Sequence, residues 1–195
     1  LIQKQTKGKT KQWHVKEVLV ADDGLGMSKE ILQVALRFGG GSRHGSVAGL
    51  GKFGMGLPNS SASQCNRFEV YTWQKKGEVY YNYFDFEEIY NEGTGYLPLV
   101  EKVDSLPQRA GDTLKLSQSH GTLVHWINCD GVNPKRASTI IKHMMVPLGR
   151  TFRYYLKDGI KIKIRVFDDN GHTLSEKKEL KTEVQPVDPL FLMDD

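Results

Sequence analysis

Apolar and polar positions change period several times along the chain, and each change marks an element. From His14 to Ala21 the residues alternate around Val15, Val18 and Val20, which predicts a strand running into a turn at Asp22-Asp23-Gly24. Ser28 caps the helix that follows, with Glu30 in its first turn. Ile31, Ala35 and Phe38 fall at helical spacing beside Leu32 and Leu36, and Gly39-Gly40-Gly41 ends the run. Leu57 to Cys65 reads as a second helix, with Pro58 near its start, where a missing amide hydrogen costs nothing.

Phe68, Val70 and Tyr71 to Trp73 predict a strand. Lys76-Gly77 makes a turn and Val79 to Phe84 a second strand, giving an antiparallel hairpin rich in aromatic residues. Residues 87–119 are turn-rich, with one short strand at Thr113 to Leu116, and Gly121 to Asn128 is a firmer strand. Lys135 to Leu156 carries helical spacing around Ile140, Ile141, Met144, Met145 and Leu148, interrupted at Pro147. Ile160 to Phe167 is expected to pair with Thr173 to Leu180 across Asn170-Gly171, and Pro186 to Asp195 forms a connector.

The candidate chemistry lies early. From Gly39 to Gly56 the chain holds eight glycines with Ser42 and Ser46, a density that denies it regular structure and makes it a candidate lid. Gly49-Leu50-Gly51-Lys52-Phe53-Gly54-Met55-Gly56 offers backbone amides without side-chain bulk, running into a helix N-terminus that favours an anion. Gly49, Gly51 and Gly54 also satisfy the dinucleotide pattern, with Glu69 as its ribose-binding acid, but that site needs a strand directly before the glycines, and residues 39–48 are polar and glycine-rich. A protein kinase would show His-Arg-Asp and Asp-Phe-Gly, where this chain has at nearest Asp85-Phe86-Glu87. A P-loop would place Ser or Thr after Lys52, where Phe53 stands.

Asp22-Asp23-Gly24-Leu25-Gly26-Met27 upstream, followed by the glycine segment, resembles the first and second glycine boxes of the GHKL superfamily (gyrase, heat-shock chaperone, histidine kinase, MutL). Gly121-Thr122 opening a strand resembles its third element. The details are closer to the chaperone, MutL and Microrchidia (MORC) branch than to the kinases. Arg153-Tyr154-Tyr155-Leu156 and Asp188-Pro189-Leu190-Phe191 are broadly similar to the end of that domain.

The resemblance implies an α/β two-layer sandwich of the Bergerat type, with a mixed, mainly antiparallel sheet carrying helices on one face. It implies that Asp22 accepts from the adenine amino group, with Thr122 supporting through its hydroxyl and a bound water. Gly26 lets the backbone approach the base, with Gly24 beside it in the ATP site, Met27 packs on the ring, and the amides of Gly51, Lys52, Phe53, Gly54, Met55, Gly56 and Leu57, after Gly49 and Leu50, hold the phosphates. It implies ATP and Mg2+ as cofactors and an ATP-dependent homodimer, with a protein client or DNA as further partners.

The same family brings a catalytic glutamate and a magnesium-binding asparagine on a helix before the first box. Neither has a counterpart here, and Glu17, on the strand, is not assigned as the base. The expectation is therefore one ATP-binding domain over residues 1–195 lacking its N-terminal helix, with 158–195 leading toward a further domain. Read without the resemblance, Asp22 and Asp23 are a turn with an Asx bond, Thr122 a β-former and Met27 core packing.

Composition changes this picture little. At 38% hydrophobic and 26% charged the chain is neither disordered nor fibrous. It has no apolar run long enough to span a bilayer and no signal-peptide order, so a cytoplasmic protein, or a nuclear one in a eukaryote, is expected, with no membrane partner. Cys65 and Cys129 are expected to be buried thiols, and His120 and His125 lack metal spacing, so no metal ligand is assigned. Net charge is +4, with Lys4, Lys7, Lys9 and Lys11 crowded in one stretch that reads as a solvated loop or a contact for nucleic-acid phosphates; Arg43 and His44 of the lid read as solvent-exposed.

Overall fold

A computed structural model describes residues 1–5, 12–39, 54–93, 96–114, 116 and 119–188. In chain order come β1 (Ile2–Gln5), β2 (Trp13–Asp22), α1 (Lys29–Ala35), α2 (Gly56–Ala62), the hairpin β3 (Arg67–Trp73) and β4 (Val79–Asp85), α3 (Phe86–Glu92), β5 (Glu101–Val103), α4 (Gln108–Thr113) and β6 (Gly121–Ile127). They are followed by α5 (Ala137–Thr151), α6 (Arg153–Lys157), β7 (Lys163–Ile164), β8 (Phe167–Asp169), β9 (Leu174–Glu176), a 3-10 turn at Lys178–Leu180 and β10 (Thr182–Glu183). The chain divides into two compact units, Glu17–Gly131 and Leu1–Lys16 with Val132–Asp195.

The Glu17–Gly131 unit is an antiparallel sheet in the order β5-β4-β3-β6-β2. Because side chains alternate across a strand, its registers define two faces. One carries Phe68, Val70 and Thr72 of β3, with Thr122, Val124 and Trp126 of β6 opposite them. On this face the Trp126 indole donates to Ser61 Oγ of α2 at 2.8 Å. Phe68 stacks on Phe84 at 5.5 Å, and Phe38, beyond α1, meets Phe84 edge-on at 6.5 Å. The other face buries Tyr71, Trp73, Val79 and Leu123 against Ala110 of the short α4.

The second unit pairs β1 with β8 in parallel, β8 with β9 antiparallel, and β7 with β10 antiparallel. Its core holds Ile2, Val15, Ile140, Val166 and Phe167, all buried. The fold class expected from the sequence, a mixed and mainly antiparallel sheet with helices, is present.

Several local expectations shift. Ser28 caps α1 as read, its hydroxyl accepting from the Ile31 amide at 3.4 Å, but the helix ends at Ala35, before the glycines. It buries Leu32 and Leu36 rather than Ile31 and Phe38, which are 40% and 53% exposed. The stretch expected as a strand from Thr113 begins instead as the last residue of α4, whose Ala110 and Thr113 are buried. Pro147 does not interrupt α5; the break falls at Phe152. The long C-terminal hairpin is two short pairings, β8–β9 around Asn170-Gly171 and β7–β10 outside it.

Candidate functional site

Asp22 is the last residue of β2, where its register partner is Thr122; Thr122 in turn pairs with Thr72 of β3. One carboxylate and two hydroxyls thus form a row across three adjacent strands at one end of the sheet. Thr72 is fully buried, and its hydroxyl oxygen lies 3.3 Å from that of Thr122 and donates to the Gly121 carbonyl at 3.2 Å. The same oxygen accepts from the Met27 amide at 2.7 Å, tying the loop after β2 to the sheet.

That loop is built around its glycines. Asp22 Oδ1 accepts from the Gly24 amide at 2.9 Å, an Asx turn, and its other oxygen makes no hydrogen bond among the described residues. Asp22 is exposed. Gly26 sits at φ +70, and a Cβ there would lie 2.2 Å from the Trp73 carbonyl oxygen, so no other residue fits. Gly121 makes the matching approach from the strand side, since its Cβ would lie 2.6 Å from the Asp22 carbonyl oxygen. Met27 is half-buried, while Leu25 between the two glycines is 81% exposed.

His120 closes the loop from below. Its Nδ1 is 2.9 Å from both the Asp23 and Gly24 carbonyl oxygens. Carbonyls only accept, so Nδ1 carries the proton.

The second motif is described in part. Gly54 has φ +63, and Met55, Gly56 and Leu57 form the start of α2, where no side chain caps the first turn. Gly49, Leu50, Gly51, Lys52 and Phe53, and with them most of the lid including Arg43 and His44, lie outside the described residues.

At the other end of the same strands, on the opposite face, charges are paired among themselves. Glu17 Oε2 lies 2.9 Å from His125 Nε2 and Oε1 lies 3.3 Å from Arg109 Nε. Glu69 accepts from Arg67 at 3.0 Å and from the Tyr71 hydroxyl at 2.8 Å. Burial, then the Glu69 carboxylate, push the Tyr71 and Tyr81 hydroxyls above the usual phenol range. Burial would lower the Arg67 guanidinium, but Tyr81, Asp85 and Glu69 more than offset it and hold its proton tightly. Cys65 and Cys129 are buried as expected, and burial pushes both thiols up to about 12. Glu17 is thus committed to structure and points away from Asp22.

The structure therefore brings Asp22, Gly24, Gly26, Met27 and Thr122 together. It adds two residues that sequence reading missed. Thr72 was visible as a hydroxyl where the stripe of Phe68 and Val70 predicts an apolar side chain. His120 was weighed only as a metal ligand, and its contact across 97 residues has no local signal. Among the described residues no cluster of three or more His, Cys, Asp or Glu could hold a metal, and no helix is long and apolar enough to cross a membrane.

Among curated proteins no sequence matches the chain. A family model described as the histidine kinase-, DNA gyrase B- and HSP90-like ATPase matches residues 4–122, a span that ends on Thr122 and takes in both glycine motifs. With more than half of its length so matched, the chain belongs to the histidine kinase-, DNA gyrase B- and HSP90-like ATPase family.

Proposed function

We propose that the chain binds ATP at the Asp22 end of β2 and serves a Mg2+-dependent ATPase of the chaperone-like and Microrchidia type. The observation that carries this reading is the Asp22 carboxylate. One oxygen is used by the Gly24 amide at 2.9 Å while the other has no hydrogen bond among the described residues, beside two hydroxyls on adjacent strands. An amino group of a purine ring offers the donor such an oxygen takes, and a charged acceptor makes the stronger bond. Gly26 lets the loop pack directly on the Trp73 and Gly121 backbone, which holds Asp22 and Met27 on either side of it in place. Met27, fixed through its amide by Thr72, supplies apolar contact.

The triphosphate falls to backbone amides of the second motif, at Gly49 to Leu57. Nucleotide binding would close the Gly39 to Gly51 lid over the site and favour a homodimer, coupling hydrolysis to a change of shape in a larger protein. The glutamate and asparagine that activate water and hold Mg2+ in this family are not assigned to any residue here. A non-hydrolysing sensor is the second reading, favoured because Glu17, the carboxylate nearest the first motif on β2, is held by His125 and Arg109.

Calorimetric titration of ATP with magnesium into this chain and into the full-length gene product, followed by phosphate release from each, tests the proposal. Binding by both with release by the longer protein is expected. Binding without release by either establishes the sensor, and no binding by either ends the nucleotide reading.

A further inference from the structure

Between Lys76 and Lys102 the chain has no Lys, Arg or His, yet carries Glu78, Asp85, Glu87, Glu88, Glu92 and Glu101 in a protein whose net charge is +4. The same stretch exposes large apolar side chains: Tyr90 is 88% exposed, Tyr96 83% and Leu99 80%. Scattered exposed hydrophobics need no explanation, but Tyr96 and Tyr90 each line one of two recesses that meet at Ile89 of α3. One, of about 250 Å3, is lined by Tyr83, Glu88, Ile89 and Tyr96; the other lies between Phe86, Glu87 and Tyr90 and shares Ile89. Neither recess includes Asp22, Met27 or Thr122.

We propose that this acidic, aromatic surface around α3 docks a Lys/Arg-rich segment of another protein that carries an aliphatic or aromatic anchor. The molecule already shows the chemistry at its edge. Arg67 lies 4.1 Å from the centre of the Tyr83 ring and bonds Asp85 at 3.1 Å, so a guanidinium is accepted between an aromatic face and a carboxylate. Glu87 is exposed beside Tyr90, and Glu88, which accepts from the Tyr83 hydroxyl at 2.8 Å, faces the first recess. A basic segment satisfies these carboxylates while its anchor enters the recess beside Ile89. A nucleic acid or an anionic membrane would be repelled by the same charges. This assignment does not depend on the nucleotide reading.

A library of random twelve-residue peptides, panned on the whole chain and counter-selected on a Tyr90→Ser/Tyr96→Ser variant, tests it directly. Both tyrosines are almost wholly exposed, so the variant is expected to fold, which circular dichroism checks. Enriched peptides should be rich in Lys and Arg with one apolar side chain. Their affinity should fall about tenfold in the double variant, a severalfold loss should follow from Glu87→Gln, and binding should weaken with salt. Peptides that are acidic or uncharged, no enrichment, or affinity indifferent to Tyr90 and Tyr96 overturn the proposal. So does sedimentation showing that the surface instead mediates self-association lost in the double variant; residues 132–165, with nine Lys or Arg against Asp158 alone, make a second copy the competing occupant.

Discussion

The strands β2, β6 and β3 carry polar groups at both ends, and the two ends are used in opposite ways. At the Glu17 end, each carboxylate is matched: half-buried Glu17 by His125 and Arg109, and buried Glu69 by Arg67, Tyr71 and Tyr81. At the Asp22 end the hydroxyls of Thr72 and Thr122 and the Met27 amide satisfy one another, but one oxygen of the exposed carboxylate has no hydrogen bond among the described residues. A charge that folding has already neutralised has little left to offer a ligand, whereas one held in place and left partly unused is prepared to bind. Position in the sheet, rather than residue type, separates a structural carboxylate from a binding one.

The contrast is broken most forcefully at Glu69. Replacing it with alanine leaves the buried Tyr71 hydroxyl without its acceptor and takes one of the two carboxylates that hold Arg67, Asp85 remaining, and should cost about 3 kcal/mol of stability, since a buried polar group left unpaired keeps its full cost of desolvation. Urea denaturation reads this loss, while ATP affinity, measured below the transition, should stay at the wild-type value. Asp22→Asn is the reverse case. The amide oxygen can still accept from Gly24, so the melting temperature should hold, while ATP binding falls about a hundredfold, the ~2–3 kcal/mol of a hydrogen bond to a charged group.

Thr72→Val sharpens the comparison, because Thr72 serves both structure and site. Losing the acceptor for the Met27 amide should cost about 1–2 kcal/mol of stability and weaken ATP in parallel, measured by the same two assays. Smallest is the effect at the thiols. Cys65 and Cys129 keep their protons to about 12 in the folded chain against 9.0 when unfolded. Ionisation therefore favours the unfolded state as pH rises from 9 to 12, and their contribution to stability is intact below 9 and lost across that window. Iodoacetamide at pH 8 should leave both unmodified until denaturant is added.

Much of the site was legible because its signals are local. The alternation from His14 to Ala21 places Asp22 at a strand end, and two glycines follow at the spacing of a tight loop. The hairpin β3–β4 and the cap at Ser28 are likewise written in neighbouring residues. What escaped rests on distant partners. His125 meets Glu17 across 108 positions, so no window of sequence reveals that Glu17 is spoken for. The short α4 has Pro107 at its cap, no side-chain cap bond and Gly111 within it; it is stabilised by Ala110 packing under Tyr71 and Trp73, a tertiary effect that outweighs its weak helix propensity. The helix α3 did leave a local mark, Asp85 accepting from the Glu87 and Glu88 amides, but it begins directly where β4 ends, and the strand pattern masks it.

Amide hydrogen exchange on the chain with and without ATP and magnesium bears most directly on the division between the two ends. The account predicts slowed exchange at residues 22–27 and 121–122, together with Thr72, and unchanged exchange at residues 67–69 and 125–127. Protection concentrated around Glu17, Glu69 and His125, or none at Asp22 to Met27 under saturating nucleotide, would contradict it.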